Sequence, residues 1–465
     1  MTVAATTSWV AERYGITVSD RSSPVGLTMG DLTRIALRRN PKRAQLMVST
    51  VLGKHLPVDP RVVAGAGRLL GALVARCLAD SSPAPAPWVD DAAASVRDGE
   101  PDRLLAVLPA AVSSAGSSAV SSAVSSAVSS AEVLTLGFAE TATSLGHLVA
   151  DQLGSAYLHS TRRPDGPVPV AAGFVESHSH ATDHLLRPGP GVPLAGGGPL
   201  VLVDDELSTG RTALNVIEAV HAAHPRDRYV LAGLVDVRSD EADSVRAEVA
   251  ARLGCRIDVV SLTSGGIVVP DGTVERVAAD LAGATEPAPA ARPAPVREVI
   301  VPWPALLPQG GRHGLADADR PAFDESVAAA AAALGRACGE APGVLILGTE
   351  ELMYLPLRLA LALRAPGRST AFQSTTRSPV HAIDQPGYPI RRRIDFTSRV
   401  HPGGSELAIR HVYNVRWPGP GESEADLVVV VDDGHAVDGP DGVAESVARA
   451  TGVPVLLARL DRVDR

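Results

Sequence analysis

Val201-Leu202-Val203-Asp204-Asp205-Glu206-Leu207-Ser208-Thr209-Gly210-Arg211-Thr212 sets four physical parts in order. An apolar strand comes first, and strands of this kind in open α/β sheets end at the carboxyl edge, where ligands bind. Two carboxylates follow at once, placed for paired hydrogen bonds to vicinal hydroxyls. Ser208, Thr209 and Thr212 then offer hydroxyls, while Gly210 lets the backbone approach a ligand closely. A helical pattern, TALNVIEAVHAAH, starts there, so its unpaired N–H groups and positive dipole end face an anion. Together the parts describe a cradle for a sugar 5-phosphate. The plain alternative is an ordinary acidic strand–helix turn; such turns are common, but the complete order is not.

Outward from this stretch, strand and helix signals alternate. EVLTLGF, SAYLHSTRR, RYVLAGLVDV and CRIDVVSLTSG read as strands, and TATSLGHLVADQL and the segment from about Asp240 to Leu253 as helices. Such alternation predicts a parallel sheet covered on both faces. Before it, VDPRVVAGAGRLLGALVARCLAD predicts a packed helix ending near Asp80. A four-residue Ser/Ala/Val repeat over 112–131 is low-complexity sequence with no assigned role. A Pro/Ala stretch at 284–296 reads as a linker. Beyond it GVLILG, LPLRLALALR, STAFQSTTR, LAIRHVYNV, DLVVVVDD and VPVLLARL alternate again. The expected organisation is an N-terminal extension or hood at 1–87, a main domain at 88–283, the linker, and a second domain at 297–465.

Composition narrows the function classes. The 465 residues exceed one ordinary core. Hydrophobic residues make up 45% but aromatics only 3%, so the cores are built from Ala, Val and Leu. The net charge of −9 and the absence of a basic run argue against nucleic acid as a partner. No apolar stretch is long enough for a bilayer, and MTVAATTSWVAERYG lacks the charged start and apolar block of a signal peptide. Cys77, Cys255 and Cys338 are far apart and form no CxxC, as fits a reducing compartment. A cytoplasmic location is expected.

The 201–212 stretch resembles the motif that binds 5-phosphoribosyl-1-pyrophosphate (PRPP) in type I phosphoribosyltransferases. The resemblance implies a type I phosphoribosyltransferase-like α/β fold, a parallel sheet flanked by helices. It also implies that Asp204 and Asp205 hold the ribose hydroxyls and that Ser208, Thr209, Gly210, Arg211 and Thr212 hold the 5′-phosphate. Mg²⁺ is the implied cofactor, associated with Asp204 and Asp205 through ribose or water. Three weaker elements fall where that family needs them. Phe138-Ala139-Glu140-Thr141 follows the first strand at the pyrophosphate-loop position; the alternative is a helix cap by Thr141 or Thr143. Arg162 and Arg163 follow the second strand, where a cation meets pyrophosphate; the alternative is a solvated strand end. His178, His180 and His184 lie where the orotate branch has a closing hairpin; a zinc site and a polar hairpin are the alternatives.

Thr376-Arg377-Ser378-Pro379 resembles the TRSP domain, found fused behind an orotate-phosphoribosyltransferase-like domain in bacterial tellurite-resistance-associated gene clusters. That implies a stress-linked, nucleotide-like biosynthetic role. The halves also echo one another: VLTLGFAETATSLGHL answers VLILGTEELMYLPLRL, HSTRRP answers STTRSP, and LVLVDDELSTG answers LVVVVDDGHAVDG. The second domain is therefore expected to be a degenerate phosphoribosyltransferase-like α/β domain. Asp432 and Asp433 lack a phosphate loop, and Arg377, Arg391, Arg392 and Arg393 are either an anion site or a solvated face. The expected reaction transfers 5-phosphoribosyl from PRPP to an unidentified nucleobase-like acceptor, with a homodimer possible. A non-catalytic PRPP or nucleotide sensor is the alternative, and a PRPP-forming diphosphokinase is disfavoured because no ATP motif is evident. Finally, only Lys42 and Lys54 among the 43 Lys and Arg residues are lysines, and both lie between Asn40 and His55. This clustering predicts that Lys54, and less directly Lys42, reaches the phosphates or the acceptor at the mouth of the site.

Overall fold

The computed structural model describes residues 8–40, 43–80, 87–107, 133–163, 168–175, 183–192, 194–282, 294–401, 404–415 and 425–463. The Ser/Ala/Val repeat, Lys42, His178, His180 and most of the linker lie outside them.

In chain order the strands are β1 (Thr17–Ser22), β2 (Thr33–Leu37), β3 (Gln45–Ser49), β4 (Leu134–Gly137), β5 (Ala156–His159), β6 (Ala172–Val175), β7 (Asp183–Leu186), β8 (Leu200–Leu207) and β9 (Arg228–Asp236). They continue with β10 (Arg256–Val268), β11 (Val296–Pro304), β12 (Gly343–Gly348), β13 (Ser369–Ser374), β14 (Arg393–Arg399), β15 (Leu407–Tyr413), β16 (Leu427–Asp432) and β17 (Val455–Val463). One sheet has the order β1-β10-β9-β8-β4-β5 and the other β11-β17-β16-β12-β13. All pairs within them are parallel except β1 with β10. The central strands are apolar throughout because helices cover both faces: Leu200 to Val203 and Leu427 to Val431 are buried.

The halves share one topology. β5-β4-β8-β9 repeats as β13-β12-β16-β17, and each half inserts an antiparallel hairpin, β6–β7 or β14–β15, between its second and third parallel strands. Register agrees as well. Gly137 pairs with Val203 and Gly348 with Val431, so Asp204 and Asp432 are the next residues in equivalent places.

The N-terminal extension is not a separate layer. β1 joins the edge of the first sheet against β10. The β2–β3 hairpin is held by the second half: Tyr388 Oη accepts from the Leu37 amide at 2.9 Å, and the His381 amide donates to the Leu37 carbonyl at 2.8 Å. Between these elements and the main domain runs the helix Pro60–Leu78, capped by Asp59 with proline at its first turn. Its glycines allow close packing on the helix Thr143–Leu153. A Cβ at Gly67 would stand 2.6 Å from Leu148, and one at Gly71 2.6 Å from Gln152. The helices Pro87–Asp98 and Pro101–Val107 pack on the same long helix.

Candidate active site

The acidic pair sits at the carboxyl end of β8, the central strand beside β4. Asp204 and Asp205 are half-buried, and the Asp205 amide donates to Asp204 Oδ1 at 2.9 Å. The loop Ser208–Gly210 follows, and Gly210 adopts φ +68°, which an L side chain rarely takes. The helix Arg211–Ala223 begins directly after it, with Gly210 at its N-cap. Its first amides are therefore open toward the loop, and the Arg211 amide reaches only Thr209 Oγ1, at 3.4 Å.

The loop after β4 stands beside this pair. The Phe138 amide donates to the Val203 carbonyl at 3.0 Å, and the Phe138 ring is buried edge-on against Phe174 at 6.0 Å between centroids. The Ala139 amide donates to Ser160 Oγ at 3.0 Å. Phe138 and Ala139 thus belong to the scaffold, while Glu140 and Thr141 are only half-buried. Neither Thr141 nor Thr143 caps the following helix; its N-cap is Ala142 with no side-chain cap.

Two carboxylates flank the pair: Glu206, to which the sequence assigns no role, and Glu140 of the expected pyrophosphate loop. Glu206 accepts from Arg43 at 3.1 Å. Burial pushes its carboxyl up, with Arg43 opposing, Asp205 reinforcing and Lys54 opposing. Glu140 is also pushed up by burial, against Arg377, Arg162 and Lys54. The Lys54 charge is thus close enough to be felt by both carboxylates that border Asp204 and Asp205. It is carried there by residues 53–58, which lie along β13: the Ser374 amide donates to the Gly53 carbonyl at 2.7 Å, and Val58 bridges Phe372.

The two candidate arginines part company. Arg162 Nε donates to His184 Nε2 at 3.1 Å, and its charge reaches Glu140. An arginine N–H is always a donor. His184 therefore accepts through Nε2 and carries its proton on Nδ1, which donates to Ser160 Oγ at 3.0 Å. Both ring nitrogens are occupied, which leaves this histidine no lone pair for zinc. Arg163 instead points into the second half, which corrects its expected place at the first site. Its NH1 lies 2.7 Å from Asp433 Oδ2 and 2.7 Å from His435 Nδ1, and its side chain is 1% exposed. A buried guanidinium needs an opposite charge, which Asp433 supplies directly and Glu351 at 4.0 Å, while its Nε and NH2 have no hydrogen-bond partner among the described residues.

The second half's own acidic pair is closed. Asp432 Oδ1 accepts from the amides of His435 at 3.0 Å and Ala436 at 2.8 Å, so a carboxylate sits on the amides that follow the strand. Asp433 is taken by Arg163, by His435 and by Thr349 Oγ1 at 3.2 Å. Arg391 and Arg392 pair with Asp384, and Arg393 with Asp395. Titration of the full chain with PRPP should therefore give a single site, not two; two equivalent sites would contradict this closure. A cavity of about 530 Å³, lined by Arg34, Leu56, Gly343, Ser369 and Tyr388 among others, opens at the amino ends of β12 and β13, away from the acidic pair.

A mostly parallel sheet with helices packed on it and an acidic pair at the carboxyl end of its β8 strand defines an α/β fold. The chain belongs to the phosphoribosyl transferase family, whose model matches residues 32–266, just over half of it. Residues 309–446 match the TRSP domain that lies C-terminal to that family's transferase. No curated protein matches the chain. Among solved structures it is similar to the adenine phosphoribosyltransferase of Trypanosoma brucei (16% identity, 31% of this chain, 57% of that one, TM-score 0.23). It is also similar to that of Giardia lamblia (23%, 34%, 82%, 0.21) and to the orotate phosphoribosyltransferase of Aeropyrum pernix (18%, 33%, 67%, 0.17). The chain spans 57% of the T. brucei enzyme and 62% of the Leishmania tarentolae one, less than two thirds of either.

Proposed function

We propose that the chain uses PRPP and Mg²⁺ to transfer 5-phosphoribosyl to a nucleobase-like acceptor with release of pyrophosphate. The observation that carries this is the acidic pair at the carboxyl end of β8, followed at once by a glycine-led helix start. In this reading the open amides of Gly210, Arg211 and Thr212 and the hydroxyls of Ser208, Thr209 and Thr212 hold the 5′-phosphate. Asp204 and Asp205 hold the ribose hydroxyls. The bond from ribose C1 to the pyrophosphate oxygen breaks, a bond from C1 to an acceptor nitrogen forms, and the acceptor gives up a proton. Positive charge builds on the ribose as pyrophosphate leaves, and the two carboxylates stabilise it. Arg162 and Lys54 offset the leaving group's charge.

The residues fit Mg²⁺. They offer carboxylate oxygens only, and among the described residues no group of three His, Cys, Asp or Glu converges on a point. Mg²⁺ takes one or two carboxylates together with substrate oxygens, not a closed protein cage. When bound it neutralises charge on the pyrophosphate oxygens. His178 and His180 remain candidates for a closing segment over the leaving group, in the connection between β6 and β7.

No described helix is long and apolar enough to cross a membrane, and the cysteines are unpaired. A cytoplasmic place is part of the same proposal, as is the stress-linked biosynthetic role that the TRSP resemblance implies. The test is incubation with PRPP, Mg²⁺ and a panel of bases, with pyrophosphate release and a new nucleotide mass as readouts. Binding of PRPP with no turnover on any base would favour a sensor. Lys54→Arg is expected to lower turnover by about tenfold, since a bulkier planar cation differs from an ammonium in shape, hydration and hydrogen-bond directions. Full activity in that variant would remove Lys54 from the site.

A further inference from the structure

The halves exchange the same element. In each, the segment after the second parallel strand reaches the glutamate after the first parallel strand of the other. Glu351 accepts from Thr161 Oγ1 at 2.8 Å and from the Arg162 amide at 3.0 Å. Reciprocally, Arg377 Nε lies 2.5 Å from Glu140 Oε1. Local hydrogen bonds confirm the equivalence: Ser160 Oγ accepts from the Ala139 amide as Thr375 Oγ1 accepts from the Glu350 amide. The Arg163 and Ser378 amides both donate to the threonine two residues before, at 3.1 Å.

The exchange is unequal in outcome. Arg163 seals the second half's acidic pair, whereas Arg377 is left with donors to spare. Its Nε donates to Glu350 at 2.7 Å, and Glu140 Oε1 stands beside the same nitrogen as an ion-pair partner without a hydrogen bond of its own. Glu350 is itself held from behind by Arg410 at 2.7 Å. Among the described residues neither NH1 nor NH2 of Arg377 has a hydrogen-bond partner, and the side chain is 24% exposed. A guanidinium clamped through Nε presents its two remaining amines as a fixed fork, which is the geometry for two-point capture of a phosphoryl group. Glu140 places that fork at the loop beside Asp204 and Asp205, where a bare carboxylate would repel an anion.

We propose that Arg377 grips the diphosphate end of the phosphoribosyl donor, so that the single live site is completed by the second half of the same chain. This rests on the reading of the first half's loop as the donor site. It gives the TRSP segment a direct part in binding and explains how a half whose own pair is closed still serves the reaction.

The test is calorimetric titration of the full-length protein, with Mg²⁺, by inorganic pyrophosphate and separately by ribose 5-phosphate. Arg377→Lys keeps a cation for Glu140 and Glu350 but leaves no fork. It is expected to weaken pyrophosphate binding by about tenfold or more with ribose 5-phosphate binding unchanged. Arg377→Ala should show the same separation more strongly if it folds. Wild-type pyrophosphate affinity in Arg377→Lys would overturn the proposal and make Arg377 an interface strut, while retained ribose 5-phosphate binding would leave the donor-site reading standing. A wild-type protein that binds neither ligand would overturn both.

Discussion

Asp205→Asn is expected to reduce pyrophosphate release by roughly a hundredfold or more, with the fold intact. Asparagine keeps the shape and can still accept one hydrogen bond, but it removes the charge that faces the ribose. The side chain is half-buried at a sheet edge and packs no core, so the loss should appear in turnover and not in unfolding. Ribose 5-phosphate affinity should fall much less than turnover, because the phosphate loop is untouched. Unchanged pyrophosphate release in this variant would remove the acidic pair from the chemistry.

Arg163→Met is expected to cost stability, by about 3–5 kcal/mol, because it leaves two buried carboxylates with the part-exposed Arg312 as their remaining arginine. Urea unfolding of the full chain measures this. Adding Asp433→Asn should recover part of the loss, since the stranded charge is then gone. A loss below about 1 kcal/mol would mean that the pair behaves like one at the surface. The same pair sets an acid limit. Burial would raise Asp433, but Arg163 and His435 outweigh it and hold the carboxyl well below its ordinary range. Burial would likewise raise Glu351, and Arg312 and Arg163 outweigh it. Folded values below the unfolded ones mean a contribution fully present above about pH 4 and lost as pH falls further. The contribution of these two carboxylates should therefore be level through neutrality and decline only in acid.

Much of the first half was legible in the sequence. The alternation of apolar runs and helical patterns marked β4, β5, β8, β9 and β10 because each element's periodicity is local. The order of strand, acidic pair, hydroxyls and glycine marked the candidate site for the same reason, since all its parts lie within twelve consecutive residues. The echo between VLTLGFAE and VLILGTEE likewise showed the duplication.

Other features were decided only by tertiary structure. Nothing near Thr17–Ser22 announces that it will pair with β10, because an edge strand takes its partner from wherever the chain returns. Arg163 and Arg162 are adjacent and chemically identical. One faces His184 and Glu140, the other crosses to Asp433, 270 residues away. Glu351 and Arg377 found their partners in the same way. A charged residue in a loop reads as solvated unless its counter-ion is known, and the counter-ions here come from the other half or from the N-terminal segment. The sequence determined which elements form and where the acidic pair stands. Folding decided which charges meet, because ion pairing depends on distance in space and leaves no period along the chain.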